Sequence, residues 1–237
     1  MDMQLRWVLA ASAIATIAAT GTANAALIAS GSIGGAPSGV IRDNLVWLPL
    51  GSAGGLSPQS GIQVSFSPNA KAVQGAVGGQ YAAPWLSGGN GLGFGSPNQP
   101  NGADTTTYAT TGSTGAFSNA AVEILLPGTG YQYFGLLWGS VDNYNTLSFF
   151  DGLTPVGSLT GSNVVASPNG DQGVNGTLYV NINSTLPFNR IVATSSQYAF
   201  EFDNLAFNRT VPTPEPGTLA LLGLGLAGLG LSRRRKH

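Results

Sequence analysis

Short runs in which apolar and polar residues alternate, separated by Asn-Gly and Asp-Gly pairs, recur along this chain and confine it to strand-and-turn architectures. Ile62, Val64 and Phe66 alternate with Gln63 and Ser65. Val122, Ile124 and Leu126 repeat the pattern, as do Leu178, Val180 and Ile182 around Tyr179 and Asn181. Side chains of a strand point to opposite faces with period two, so each run predicts a half-buried strand. Residues 134–138 and 147–150 are apolar on both faces, as central strands are. Asn90-Gly91, Asn101-Gly102, Asp151-Gly152, Asn169-Gly170 and Asn175-Gly176 offer the positive φ values of tight turns. Many short strands punctuated in this way predict an all-β fold, a single jelly-roll-like β-sandwich. The chain contains no cysteine, so its apolar core must hold it together without disulfides or thiolate metal centres.

Between residues 67 and 115 the composition shifts to Gly, Ser, Thr, Asn and Pro, which predicts long glycine-rich loops with room for a mobile flap. Tyr81, Trp85, Phe94 and Tyr108 are interspersed there. Such rings either stack on a saccharide or pin the loops to the sandwich through their large buried area.

A change of parity marks the last apolar run. Tyr198, Phe200 and Phe202 share one face of a strand, whereas Leu205 and Phe207 fall on the other parity. One extra residue near Asp203-Asn204 restores a single buried face, which is what a β-bulge does. Glu201 and Asp203 then lie on the face away from the aromatic row. Their oxygens either converge on a hard cation such as calcium, joined by Asp43 if the terminal strands pair, or stand solvated on a polar strand face. A calcium site needs 6 to 8 oxygens, and no dedicated loop supplies them.

Both ends of the chain read as targeting segments. Arg6 precedes an apolar, alanine-rich run over residues 7–17, and Ala23-Asn24-Ala25 has the small-x-small pattern of a signal peptidase site. Residues 1–25 are therefore expected to be a signal peptide, with the exported chain starting at Ala26. The alternative, an N-terminal anchor, requires roughly 20 apolar residues. At the other end Pro214-Glu215-Pro216 cannot be helix or central strand, because proline removes backbone donors and keeps its neighbours extended. The apolar run 219–231 opens on Leu219 and closes on Leu231. As a helix it measures roughly 20 Å against a hydrocarbon core of about 30 Å. Arg233, Arg234, Arg235 and Lys236 follow it and hold the C-terminus on the cytoplasmic side. The run thus enters the inner membrane as a short stop-transfer helix, or serves as a plain anchor.

Between these ends four basic residues (Arg42, Lys71, Arg190, Arg209) face eight acids (Asp43, Asp104, Glu123, Asp142, Asp151, Asp171, Glu201, Asp203). No basic patch can neutralise phosphates, which argues against nucleic-acid binding. His237, the one histidine, lies in the basic tail, so a Ser-His-Asp or Cys-His arrangement is not expected in the exported part. Glu201 and Asp203 share a face of one strand and do not flank a substrate as a glycosidase pair does. No catalytic residue is expected, and the chain reads as a non-enzyme.

The order of Pro-Glu-Pro triplet, apolar helix and basic tail resembles the sorting signal of the PEP-CTERM class of bacterial exported proteins. The resemblance covers residues 211–237, leaving 26–210 as the sandwich domain. Gly217 departs from the serine or threonine expected there, and Thr218 follows it. By this resemblance an exosortase in the membrane recognises Pro214, Glu215 and Pro216 and removes the tail. The protein then reaches the cell surface or extracellular matrix of a Gram-negative-type bacterium. Residues 133–145 and 198–207 look like a domain recurring in surface proteins with this signal, for which the resemblance implies no enzymatic role. Two functions stay open: a structural surface or matrix protein, and a carbohydrate-binding module that attaches to extracellular polysaccharide.

Overall fold

A computed structural model describes residues 26–32, 34–51, 54–96, 98–111 and 120–212. The expected signal peptide and residues 213–237 lie outside the described residues. Among the described residues there is no α-helix, and the chain forms β1 (Leu27–Ser32), β2 (Ile41–Asp43), β3 (Gly54–Leu56), β4 (Gln63–Phe66), β5 (Lys71–Val73), β6 (Trp85–Leu86), β7 (Gly102–Ala103) and β8 (Tyr108–Thr111). They are followed by β9 (Ala121–Leu125), β10 (Tyr131–Gly139), β11 (Asn145–Asp151), β12 (Thr154–Thr160), β13 (Leu178–Phe188), β14 (Arg190–Ser195) and β15 (Phe200–Asn208).

The strands pair antiparallel into two main sheets. One runs in the order β1-β13-β10-β15-β8-β5, with β2 also pairing β15; the other runs β12-β11-β14-β9-β4-β3. They pack face to face as a sandwich. Phe134, Trp138, Val180, Ile182, Phe200, Phe202, Leu205 and Phe207 from the first sheet meet Val64, Val122, Ile124, Leu147, Phe149, Ile191 and Ala193 from the second in one apolar core. Trp138 stacks on Phe200 with ring centroids 4.4 Å apart, and Phe149 meets Phe134 and Phe188 edge-on. Such geometries suit the ring quadrupoles and add to the area term.

The two sheets differ on their outer faces. In the six-stranded sheet buried and partly exposed residues alternate along β11 and β14, as expected of a sheet wetted on one side. The seven-stranded sheet is buried on both faces along β10 and β15. Its second face is covered by the glycine-rich segment, where Leu86 and Phe94 pack on Tyr133, Leu137, Tyr179 and Ala206. The expectation of loops throughout residues 67–115 is therefore corrected. β5 and β8 are strands of the main sheet, and β6 pairs with β7. β8 escaped the periodicity because Tyr108, Ala109, Thr110 and Thr111 are all buried, so its two faces show no contrast.

The bulge is where the parity change placed it. Gly135 pairs with Ala206 and Leu137 with Asp203, so two residues of β15 oppose Leu136 alone. Asn204 takes a φ of 52°, and Leu205 and Phe207 return to the core beside Phe200 and Phe202. Among the expected turn glycines, Gly102, Gly152 and Gly170 have positive φ. Gly91 and Gly176 do not, and serve instead where no Cβ fits: one at Gly91 would lie 2.9 Å from the Gln99 side chain, and one at Gly176 would overlap the Asp171 carbonyl.

Candidate functional site

Gly139 at the end of β10 lies opposite Glu201 of β15. The chain then turns through Ser140, whose φ of 43° is unusual for a residue with a Cβ. This turn directs the Ser140 hydroxyl to Glu201 Oε2 at 2.7 Å, while the Ala82 N–H donates to Oε1 at 2.9 Å. Beside this carboxyl opens a cleft of about 340 Å³, lined among others by Gln80, Tyr81, Asp142, Tyr144, Gln172 and Tyr198. The Tyr144 hydroxyl donates to the Tyr198 carbonyl at 3.1 Å, which fixes one wall.

Glu201 is 2% exposed. Burial pushes its carboxyl up to about 7, against the lowering effect of the Ser140 and Ala82 hydrogen bonds, and the Asp142 carboxylate adds to the rise. Burial also raises Asp142, while the neighbouring Tyr144 hydroxyl works the other way. The cleft thus joins tyrosine rings, amides and two acids of raised affinity for protons. Each Glu201 oxygen accepts one hydrogen bond, so the carboxyl is held in place as part of the cleft wall.

A second polar group lies farther along β15, under the glycine-rich cover. The bulge turns Asp203 and Asn204 consecutively to the outer side, because Phe202 and Leu205 belong to the core. The Thr106 N–H and hydroxyl donate to Asp104 Oδ1 at 2.8 and 2.7 Å, and Gln99 Nε2 donates to the Thr106 hydroxyl at 3.0 Å. Asn204 Nδ2 donates to Gln99 Oε1 at 2.5 Å. Burial above all, and then the neighbouring Asp104 carboxylate, hold Asp203 well above the usual carboxylate range.

The calcium set expected from the sequence does not assemble. β2 does pair β15, with Asp43 opposite Leu205. The Asp43 carboxylate, however, is taken up by the Leu45 N–H at 3.0 Å, Trp47 Nε1 at 2.8 Å, and the Ser57 and Ser60 hydroxyls at 2.5 and 2.6 Å. Glu201 faces the cleft and Asp203 the covered layer. Among the described residues no group of three or more His, Cys, Asp or Glu side chains is placed to hold a metal. Neither acid on β15 is solvated, because the covering segment removes the polar face from water.

The four aromatic residues do not form one exposed platform. Tyr108 and Phe94 are buried; Tyr108 donates to the Gly75 carbonyl, and Phe94 packs on Tyr179 with centroids 5.9 Å apart. Tyr81 is half-buried against the edge of Tyr108 and lines the cleft. Trp85 is exposed over 37% of its surface. Sequence reasoning missed the cleft-forming role of Ser140, Asp142, Tyr144 and Tyr198. Only the position of the first three at the end of an apolar run hinted at it.

Among the described residues no helix is long and apolar enough to cross a membrane, and the expected apolar run lies outside them. No curated protein matches the chain. Pro212 closes the described residues, four positions after the end of β15. The PEP-CTERM protein-sorting motif matches from that proline to Lys236, residues 212–236 in all, so this chain carries the signal for exosortase-dependent sorting to the cell surface.

Proposed function

We propose that the chain is an exported surface or extracellular-matrix protein whose sandwich works without catalysis and whose tail an exosortase removes. The observation that carries this reading is the motif at residues 212–236, directly behind the last strand of the sandwich. Its parts have separable physical jobs. Pro214, Glu215 and Pro216 keep the backbone extended and unpaired for a processing site. The apolar run holds that site at the membrane, and Arg233, Arg234, Arg235 and Lys236 stop further export. Signal peptidase releases the other end at Ala26.

The test is fractionation and intact mass measurement in a host that contains the exosortase. Glu215→Ala leaves membrane insertion in place and blocks processing, so the tail stays attached. A mature wild-type protein that still ends at His237 makes the segment a permanent anchor and overturns the reading.

The cleft favours a second reading, attachment to extracellular polysaccharide. Tyr81, Tyr144 and Tyr198 offer rings for sugar faces, and Gln80, Gln172 and Asp142 offer groups for hydroxyls. A glycan array decides it: binding that weakens in Tyr81→Ala supports attachment, and absence of binding at millimolar saccharide removes it.

A further inference from the structure

Two carboxylates buried side by side need something between them. Asp104 and Asp203 are both almost wholly buried, and the Thr106 hydroxyl spans them, 2.7 Å from Asp104 Oδ1 and 3.4 Å from Asp203 Oδ2. The carboxyls themselves lie close enough to share a hydrogen bond if one is protonated. Each keeps one oxygen without a partner, Asp104 Oδ2 and Asp203 Oδ1, and the fully buried Asn204 leaves its Oδ1 without one as well. Among the described residues no basic side chain forms an ion pair with either carboxylate. Among the described residues the one ion pair is that of Arg190 with Glu123 on the other sheet, and Arg42 donates to the carbonyls of Ala36 and Pro37. Buried ionised carboxylates without counter-charge are strongly disfavoured, because water no longer solvates them.

We propose that Asp104, Asp203 and Asn204 bind a hard divalent cation of the calcium type. Three unpartnered oxygens come from two chain segments far apart in sequence, and the bulge supplies two of them from consecutive residues. Two carboxylates balance a double positive charge, and an all-oxygen donor set selects calcium over softer metals. The site keeps Asp203 from the set expected on sequence grounds and replaces Glu201 and Asp43 by Asp104 and Asn204. A cation here ties the covering segment, through Asp104, to the middle of the seven-stranded sheet.

The experiment uses the purified full chain, stripped with a chelator and then titrated with calcium chloride, with magnesium and sodium chloride in parallel. A ligand that binds only the folded state raises Tm by mass action, roughly 5 °C or more at a hundredfold excess over Kd for a domain of this size. Calcium raises Tm in the wild type and in Asp151→Asn, a variant at an exposed hairpin acid, and no longer does so in Asp203→Asn or Asp104→Asn. Equilibrium dialysis of the wild type, which requires no variant to fold, finds one calcium per chain. A wild-type Tm indifferent to every cation, with no calcium retained in dialysis, marks a pair that shares a proton and overturns the proposal.

Discussion

Glu123 and Glu201 occupy similar positions on opposite sheets, each on a strand face that points away from the sandwich core, yet their surroundings differ completely. Glu123 lies on the open face of the six-stranded sheet. There it meets Arg190 at 2.6 Å, the two side chains being 39% and 26% exposed, and Arg190 also lies over the Phe150 ring. Glu201 lies under cover, held by an N–H and a hydroxyl, and among the described residues it forms no ion pair. The difference teaches that strand position alone does not decide what a carboxylate does. Whether a second layer covers the strand decides it.

The largest effect is expected where the sheets do not differ. Phe200→Ala removes a ring stacked on Trp138 and packed against Phe202, and should lower unfolding free energy in urea by about 4 kcal/mol. A loss confined to one sheet, with the other still protected from amide exchange, would break the picture of one shared core.

Glu201→Ala comes next. It leaves the Ala82 N–H and the Ser140 hydroxyl without their acceptor, a loss of about 2 kcal/mol. Glu201→Gln should lose less than half as much, since its amide oxygen still accepts from Ala82 and the Ser140 hydroxyl can turn to accept from the amide. Equal losses in the two variants would show that negative charge, and not hydrogen-bond complementarity, matters at that position. Arg190→Met is expected to be smallest, under about 1 kcal/mol and reduced further by salt, because the pair it breaks is part-exposed. A loss as large as that of Glu201→Ala would erase the contrast.

The open sheet was readable in the sequence and the covered one only in part. Val122 and Ile124 alternate with Glu123 and face the core, because water on the outer side keeps selecting polar residues there. On β15 the parity change disclosed the bulge, and the inward row of Phe200, Phe202, Leu205 and Phe207 followed from it. What parity could not disclose was the cover. Asp203 looks solvated when only its strand is considered, and it becomes buried because Asp104, Thr106 and Gln99 arrive from a segment about 100 positions earlier. That segment carries little apolar contrast of its own, since glycine and small polar residues fit closely over the sheet. The cleft was hidden for a related reason: Ser140, Asp142, Tyr144 and Tyr198 meet through a turn of unusual φ, which no periodicity encodes.

β15 is the last strand among the described residues and yet sits inside its sheet, between β10 and β8. A polypeptide threaded through a membrane from its N-terminus delivers this strand after all the others, so the sandwich cannot be completed by its earlier part alone. Until Phe200 to Phe207 emerge, β10 and β8 have no common neighbour and the rings of Phe200, Phe202 and Phe207 are missing from the core. Only three residues separate β15 from the start of the sorting motif. Closure of the domain and arrival of its processing signal are therefore nearly one event. Exosortase processing then meets a chain that has just become foldable, and a truncation before β15 forfeits folding and sorting together.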